Sequence, residues 1–178
     1  MQSKQKKNKL TVFEMTLFSM FSAMMFISKI VMEFLPNIHL LAMFTVLLTV
    51  VYRKKALIPI YIFVLITGVY AGFAMWWVPY TYVWTVLWAA AMLIPKNLSK
   101  IVQIITYSLL CGLHGFLYGT LYAPAQALMF SLSFEQMIAW IVAGLAFDMM
   151  HGIGNIVAGL LVYPLSKVLI KLNSRFIN

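Results

Sequence analysis

Residues 40–75 read LLAMFTVLLTVVYRKKALIPIYIFVLITGVYAGFAM. A short apolar run, 40–51, meets the basic triplet Arg53-Lys54-Lys55, and a second apolar run, 56–75, follows at once. Three adjacent cations cannot rest in hydrocarbon, so the chain must surface at the triplet and turn back. The stretch therefore predicts two helices joined at a basic turn. The second run has the roughly 20 residues that a membrane crossing needs, whereas the first falls short of it.

The rest of the chain follows the same pattern. Of its 178 residues 63% are hydrophobic and only 10% charged, and the mean hydropathy is +0.94. Soluble domains carry about 25% charged residues, so this chain has too few to cover a water-facing surface. Further apolar runs cover about 10–35, 79–94, 99–122 and 145–169. The first is too long for the apolar core of a signal peptide and no small-residue cleavage site follows it, so it reads as a retained helix. The stretch 133–172 would reach about 60 Å as one helix, twice the hydrocarbon core. It divides best near Gly144, into a short outer helix over 134–143 and a sixth span over 145–169. The expected fold is an all-α, polytopic bundle of six transmembrane helices in a single membrane domain, behind a basic tail over 1–9.

Orientation follows from the cations. All but Lys29 of the 13 Lys and Arg residues fall in four clusters: the tail, 53–55, Lys96 with Lys100, and Lys167 with Lys171 and Arg175. Six spans place all four clusters on one side, and the positive-inside rule makes that side, with both termini, cytoplasmic. The net charge of +9 is thus topological, and no base-reading motif accompanies it, so nucleic acid is not an expected partner. The lone Cys111 forms no internal disulfide and reads as packing.

Ionisable side chains within spans are costly and mark candidate sites. Rising 1.5 Å per residue from the nearest cation, His114 stands at about 21 Å and Tyr118 at about 27 Å; Asn155, His151 and Asp148 stand at about 18, 24 and 28 Å; Trp84 and Tyr80 stand at about 18 and 24 Å. Three helices thus aim polar and aromatic groups at one layer in the outer half of the bundle. Asp148, His151 and Asn155 share a helix face by their spacing, as do His114 and Tyr118. Gly112, Gly115 and Gly119 on the fifth helix, with Gly152, Ala158 and Gly159 on the sixth, permit close backbone approach. Such groups either bond one another to lock the bundle or converge on a ligand. Tyr80 and Trp84, one turn apart, offer a surface on which a planar ligand stacks, while Trp76, Trp77 and Trp88 read as interfacial anchors. The short second span starts below the outer surface, so Phe34–Leu40, with Asn37 and His39, must cover the gap. We read that stretch as a lid.

Neither His114 nor His151 lies in H-E-x-x-H, and no phosphate-cradling loop or nucleophile elbow is present. Asp148-x-x-His151 with His114 is the only metal-like grouping, and no metal or other cofactor is expected from it. The chain carries no ATPase motif, so concentrating a solute requires ions or a partner, and no enzymatic activity is expected.

With its length, six spans, basic side, the aromatic connection Trp76-Trp77-Val78-Pro79-Tyr80 and the stretch Phe147-Asp148-Met149-Met150-His151-Gly152-Ile153-Gly154-Asn155, the chain resembles the substrate-binding S components of energy-coupling factor (ECF) vitamin transporters. The resemblance implies a vitamin pocket near the outer face, lined by outer connections and helices four to six. It implies partners too: membrane lipid, a transmembrane coupling protein and two ABC-type ATPases, in a prokaryotic plasma membrane. Docking in that family uses small residues on the first helix, matched here by Ser19-x-x-x-Ala23 with Ser22 beside it. Cobalt and nickel members carry His at position two, and Gln2 here argues against a metal ion as substrate. The aromatic wall suits a pyrimidine- or pyridine-type vitamin precursor, with pantothenate or another vitamin as further options. A small ion-coupled secondary transporter and an intramembrane enzyme using His114, Asp148 and His151 are the alternatives that the residues leave open.

Overall fold

The computed structural model describes residues 10–35 and 38–176. Among these residues there are eight α-helices and no strand: α1 Val12–Val31, α2 Leu41–Tyr52, α3 Leu57–Ala71, α4 Tyr80–Met92, α5 Lys100–Phe116, α6 Tyr118–Phe130, α7 Phe134–Gly159 and α8 Val162–Phe176. They form six rods. Helix α6 continues α5 across Leu117, whose amide still bonds Leu113 and whose carbonyl still accepts from Leu121. Helix α8 continues α7 across Leu160 and Leu161, whose amides tighten to bonds three residues back, on Val157 and Ala158, while the Leu161 carbonyl accepts from Leu165.

Four apolar helical stretches have the length and composition of membrane-crossing segments when each is taken end to end: Val12–Val31, Leu41–Ala71, Lys100–Phe130 and Phe134–Gly159. The second of these is a hairpin. At Arg53 the backbone turns to φ 54°, ψ −121°, and a 3₁₀ turn over Arg53–Ala56 leads into α3. Ring contacts pair Phe18 with Tyr52 and Phe21 with Phe44, so α2 runs antiparallel to α1. Contacts of Glu14 with Lys55, Ser22 with Pro59 and Phe26 with Tyr70 make α3 parallel to α1. The basic triplet is therefore a reversal, as its charge predicts. Large apolar side chains such as Leu65, Val69, Leu109, Val157 and Leu128 face outward from the bundle. Apolar exteriors of this kind belong in lipid, and the chain is an all-α polytopic membrane protein.

Helix α2 is apolar all round and is the axis of the bundle, as such helices must be. Ten of its twelve residues are buried, and it packs against α1, α4, α5, α7 and α8. The tightest neighbours are α5 and α7, which run antiparallel with glycines of each helix set against the other. A Cβ on Gly115 would sit 2.8 Å from the backbone of Gly152, and one on Gly159 would sit 2.6 Å from Ser108 Cα. The Ser108 hydroxyl donates to the Ile156 carbonyl at 2.6 Å across the same seam.

One end of the bundle gathers the cations. Lys55 donates to Glu14 at 2.6 Å, the Arg53 guanidinium donates to the Met92 carbonyl at 2.5 Å, and Tyr52 donates to Asn173 on α8 at 2.9 Å. The start of α1, the α2–α3 turn, the end of α4 and the end of α8 therefore share one face. Glu14 also closes a capping box with Thr11, accepting from the Thr11 amide at 3.0 Å while the Thr11 hydroxyl accepts from the Glu14 amide at 3.1 Å. One carboxylate thus starts α1 and fixes it to the basic turn.

Helix limits differ from the expected ones in the last third of the chain. The fifth helical run does not stop before Pro124: it continues to Phe130 with Pro124 inside α6. Nor is there a division at Gly144. Helix α7 runs unbroken through 134–159, so 134–143 is no separate helix, and the interruption falls at 160–161, inside the expected 145–169 span. Glycine in a helix costs only about 1 kcal/mol relative to alanine. Against that stand a reciprocal Ser133–Gln136 capping box at the start of α7 and an α6 partner packed along it. The excess length appears as an α6–α7 hairpin at the end opposite the cations.

Candidate functional site

At that opposite end α2 stops short. Twelve residues span about 18 Å, and the space above its first turn is walled by the rods around it. The result is a cavity of about 340 Å³, within the usual range for small-molecule sites. His39 and Ile38, just before α2, form part of its wall, with Lys29, Met32, Glu33 and Leu35 from the end of α1. Trp76 and Tyr80 contribute from the α3–α4 side, Tyr118 and Tyr122 from α6, and His151 from α7. Lys29 and Glu33 pair at 3.0 Å and Glu33 is largely exposed, which marks the cavity's rim.

All three histidines of the chain belong to one aromatic cluster. The His39 and His151 rings are 4.6 Å apart, and Tyr118 lies 4.8 Å from His151. Trp84 touches His39, Tyr80, His114 and Tyr118 at 5.5 to 6.1 Å between ring centres. His114 and Trp84 thus form a layer directly beneath the wall, buried to 5% and 1% exposure. The α3–α4 connection is pinned over this layer: Trp77 Nε1 donates to the Val64 carbonyl at 2.8 Å, and the Tyr122 hydroxyl donates to the Trp76 carbonyl at 2.7 Å. Gly72, at φ 85°, lets α3 end and the connection fold inward.

The cluster is short of hydrogen bonds. His39 Nδ1, Trp84 Nε1, His114 Nδ1, His151 Nε2 and both amide atoms of Asn155 are buried without a partner among the described residues. Each such group costs about 1–3 kcal/mol if left unmade, and buried polar atoms are ordinarily paired. His114 Nε2 lies 3.2 Å from the Val83 carbonyl; a carbonyl only accepts, so Nε2 carries the proton and Nδ1 presents a lone pair. Trp84 Nε1 can only donate. The layer behind the wall thus carries an unpaired acceptor and an unpaired donor among aromatic faces.

His39, Tyr80, Tyr118 and His151 line the cavity. Trp84 and His114 support it from beneath, and Asn155 lies one turn along α7 from His151, packed on Gly115. Asn37 lies outside the described residues. Asp148 is absent from the cavity wall: both its carboxylate oxygens accept from the Gly119 amide at 3.1 Å. It faces the hairpin side, with Trp140 and Phe147. The i, i+3 spacing to His151 spreads the two side chains over an arc of the helix wide enough for them to meet different neighbours. No three His, Cys, Asp or Glu side chains among the described residues form a metal-holding group. The wall also contains Trp76 and Tyr122, which the sequence reading omits; Tyr122 follows Tyr118 by one turn, and that spacing is its one signal.

On α1, Ser19 and Ala23 are exposed on the outer face. Ser22 is not available there. It is fully buried, and its hydroxyl lies 2.7 Å from the Phe18 carbonyl and 3.0 Å from the Pro59 carbonyl. It holds α1 against α3.

Compared with known proteins, the chain matches no family model, no curated protein and no solved structure.

Proposed function

We propose that the chain is a membrane-embedded, high-affinity binding subunit for uptake of a small vitamin or vitamin precursor, a pyrimidine or pyridine type being favoured. It acts without catalysis. In this reading the lysine-rich end is cytoplasmic, the cavity opens to the exterior of a prokaryotic plasma membrane, and the chain resembles an ECF S component. A separate transmembrane coupling protein with two ABC-type ATPases supplies the energy, and Ser19 and Ala23 on α1 face that partner.

The observation supporting this reading is that buried side chains with unpaired polar atoms gather at one aromatic cavity, His39 and His151 in its wall and Trp84, His114 and Asn155 in the layer behind it. Packing alone gives such atoms no reason to gather, whereas a bound solute removes their cost and gains its affinity from them. The test is a titration of the purified protein in detergent with a panel of vitamins and precursors, followed by tryptophan fluorescence. Trp84 stands inside the cluster and Trp76 in the wall, so saturable one-to-one quenching by one compound is expected. A panel-wide absence of any saturable signal contradicts the reading.

A further inference from the structure

A second cavity, of about 210 Å³, lies at the lysine-rich end. Arg53, Lys96 and Lys167 meet around it from three separate segments, with the side chains of Gln103, Tyr107 and Ser166 completing its polar lining. Positive-inside topology accounts for cations at this end. It does not require three of them to converge on one concavity.

The position of Arg53 is the most constrained feature. It is a non-glycine residue at positive φ, a conformation that costs energy and persists only where surroundings hold it. Here its own carbonyl accepts from Trp88 Nε1 at 3.1 Å, and its guanidinium reaches the Met92 carbonyl. These bonds fix the arginine at the end of α4, half-buried at the cavity's edge, with donors left over from its five N–H groups.

No side-chain carboxylate is free to balance this charge. The sequence contains four acidic residues. Glu14 pairs with Lys55 and Thr11. Glu33 pairs with Lys29 at the other end. Asp148 holds Gly119, and Glu135 sits in the first turn of α7, on the outer hairpin. Lys167 leans over the Tyr163 ring at 4.9 Å, an arrangement that leaves its charge uncancelled.

We infer that this cavity binds a phosphate group. Arginine and lysine are the usual recognition groups for phosphate, while the neutral lining groups are tied up within the protein, Ser166 donating to the Tyr163 carbonyl, Tyr107 to Gln103 and Gln103 to the Leu98 carbonyl, so the three cations carry the recognition. Basic pockets between helices on the cytoplasmic side of membrane proteins hold anionic lipid headgroups in this way. A soluble phosphate presents the same chemistry, so the experiment separates the two.

Full-length protein in a neutral detergent is melted while dioleoylphosphatidylglycerol, dioleoylphosphatidylcholine or inorganic phosphate is titrated in. A ligand that binds only the folded state raises the melting temperature saturably. Phosphatidylglycerol is expected to do so, with half-saturation rising at least tenfold in Lys96→Gln/Lys167→Gln and less than threefold in the control Lys54→Gln/Lys171→Gln. Each single variant and Arg53→Lys are measured beside them, so a folding defect in one variant leaves the readout intact. Protection by phosphatidylglycerol but not by inorganic phosphate assigns the site to lipid; equal saturable protection by inorganic phosphate assigns it to a soluble anion. Equal protection by phosphatidylcholine, or equal losses in the site and control variants, overturns the inference, as does the absence of saturation with every probe.

Discussion

The imidazoles of His39 and His151 lie 4.6 Å apart, edge to face, each burying a nitrogen without a partner. One precedes the central helix and the other sits in the middle of α7. Two such rings in contact gain little from each other, since neither unpaired nitrogen reaches a donor or acceptor on the other. Their arrangement makes sense as two sides of a binding wall, and it yields a sign test.

Replacing His151 by Phe keeps an aromatic ring and removes the unpaired Nε2. Exchanging a buried, unsatisfied polar group for an apolar one is near neutral or stabilising. The melting temperature of the empty protein should therefore hold or rise. Affinity for the solute should fall by at least tenfold, about 1.4 kcal/mol. His114→Ala and Asn155→Ala should each weaken binding by about 1–3 kcal/mol. Calorimetric titration and thermal melting read the two effects separately, and wild-type affinity in these variants removes the residues from the site.

Asp148 behaves in the opposite way. Its carboxylate accepts from the Gly119 amide where α5 passes into α6, and a hydrogen bond to a charged group contributes about 1.5–3 kcal/mol. Asp148→Ala should lower stability by that order and shift solute affinity less than threefold. A large affinity loss with unchanged melting would place Asp148 in the binding wall.

Two glycine-to-alanine changes on facing helices should differ in sign. At Gly115 the new methyl group meets the Gly152 backbone at 2.8 Å, and backbone cannot yield as a flexible side chain can. Overpacking of this kind costs about 1–3 kcal/mol. At Gly144 nothing stands within 4 Å, and alanine gains up to about 1 kcal/mol of helix propensity. Denaturation of the two variants side by side checks both, and destabilisation by Gly144→Ala would contradict the unbroken course of α7.

Helix α1 presents two faces with separable roles. Ala23→Trp adds bulk on the exposed face and should abolish co-purification with a coupling protein while leaving solute binding intact. Ser22→Val removes the bond to the Pro59 carbonyl and should cost about 1 kcal/mol of stability. Unchanged co-purification of Ala23→Trp would refute a docking role for that face.

These contrasts show how far the sequence carries. Hydropathy and cation placement yield the rods and the hairpin at Arg53, because a charged triplet in lipid has one physical remedy. The shortness of the 40–51 run even indicates where space opens above it. Helix breaks were harder to read. Gly144 looks like a stop, but its propensity cost is small beside the packing of α7 on α6, and Pro124 is accommodated inside a helix for similar reasons. Side-chain assignments failed where one residue type serves two ends. Asp148 and His151 share a helical arc yet meet different neighbours, and Ser22 lies one residue from exposed Ala23 but points 100° away around the helix. Trp76 resembles an interfacial anchor in composition. Only the fold of the α3–α4 connection brings it over the cavity.

The central claim is that the cavity beside Tyr80, Tyr118 and His151 holds a solute. Native mass spectrometry of the protein, extracted gently from cells grown in vitamin-replete medium, measures this most directly. The account predicts one small-molecule adduct per chain, retained by the wild type and lost in His151→Phe. A bare chain mass in the wild type, with no adduct restored by any compound of the vitamin panel, would contradict it.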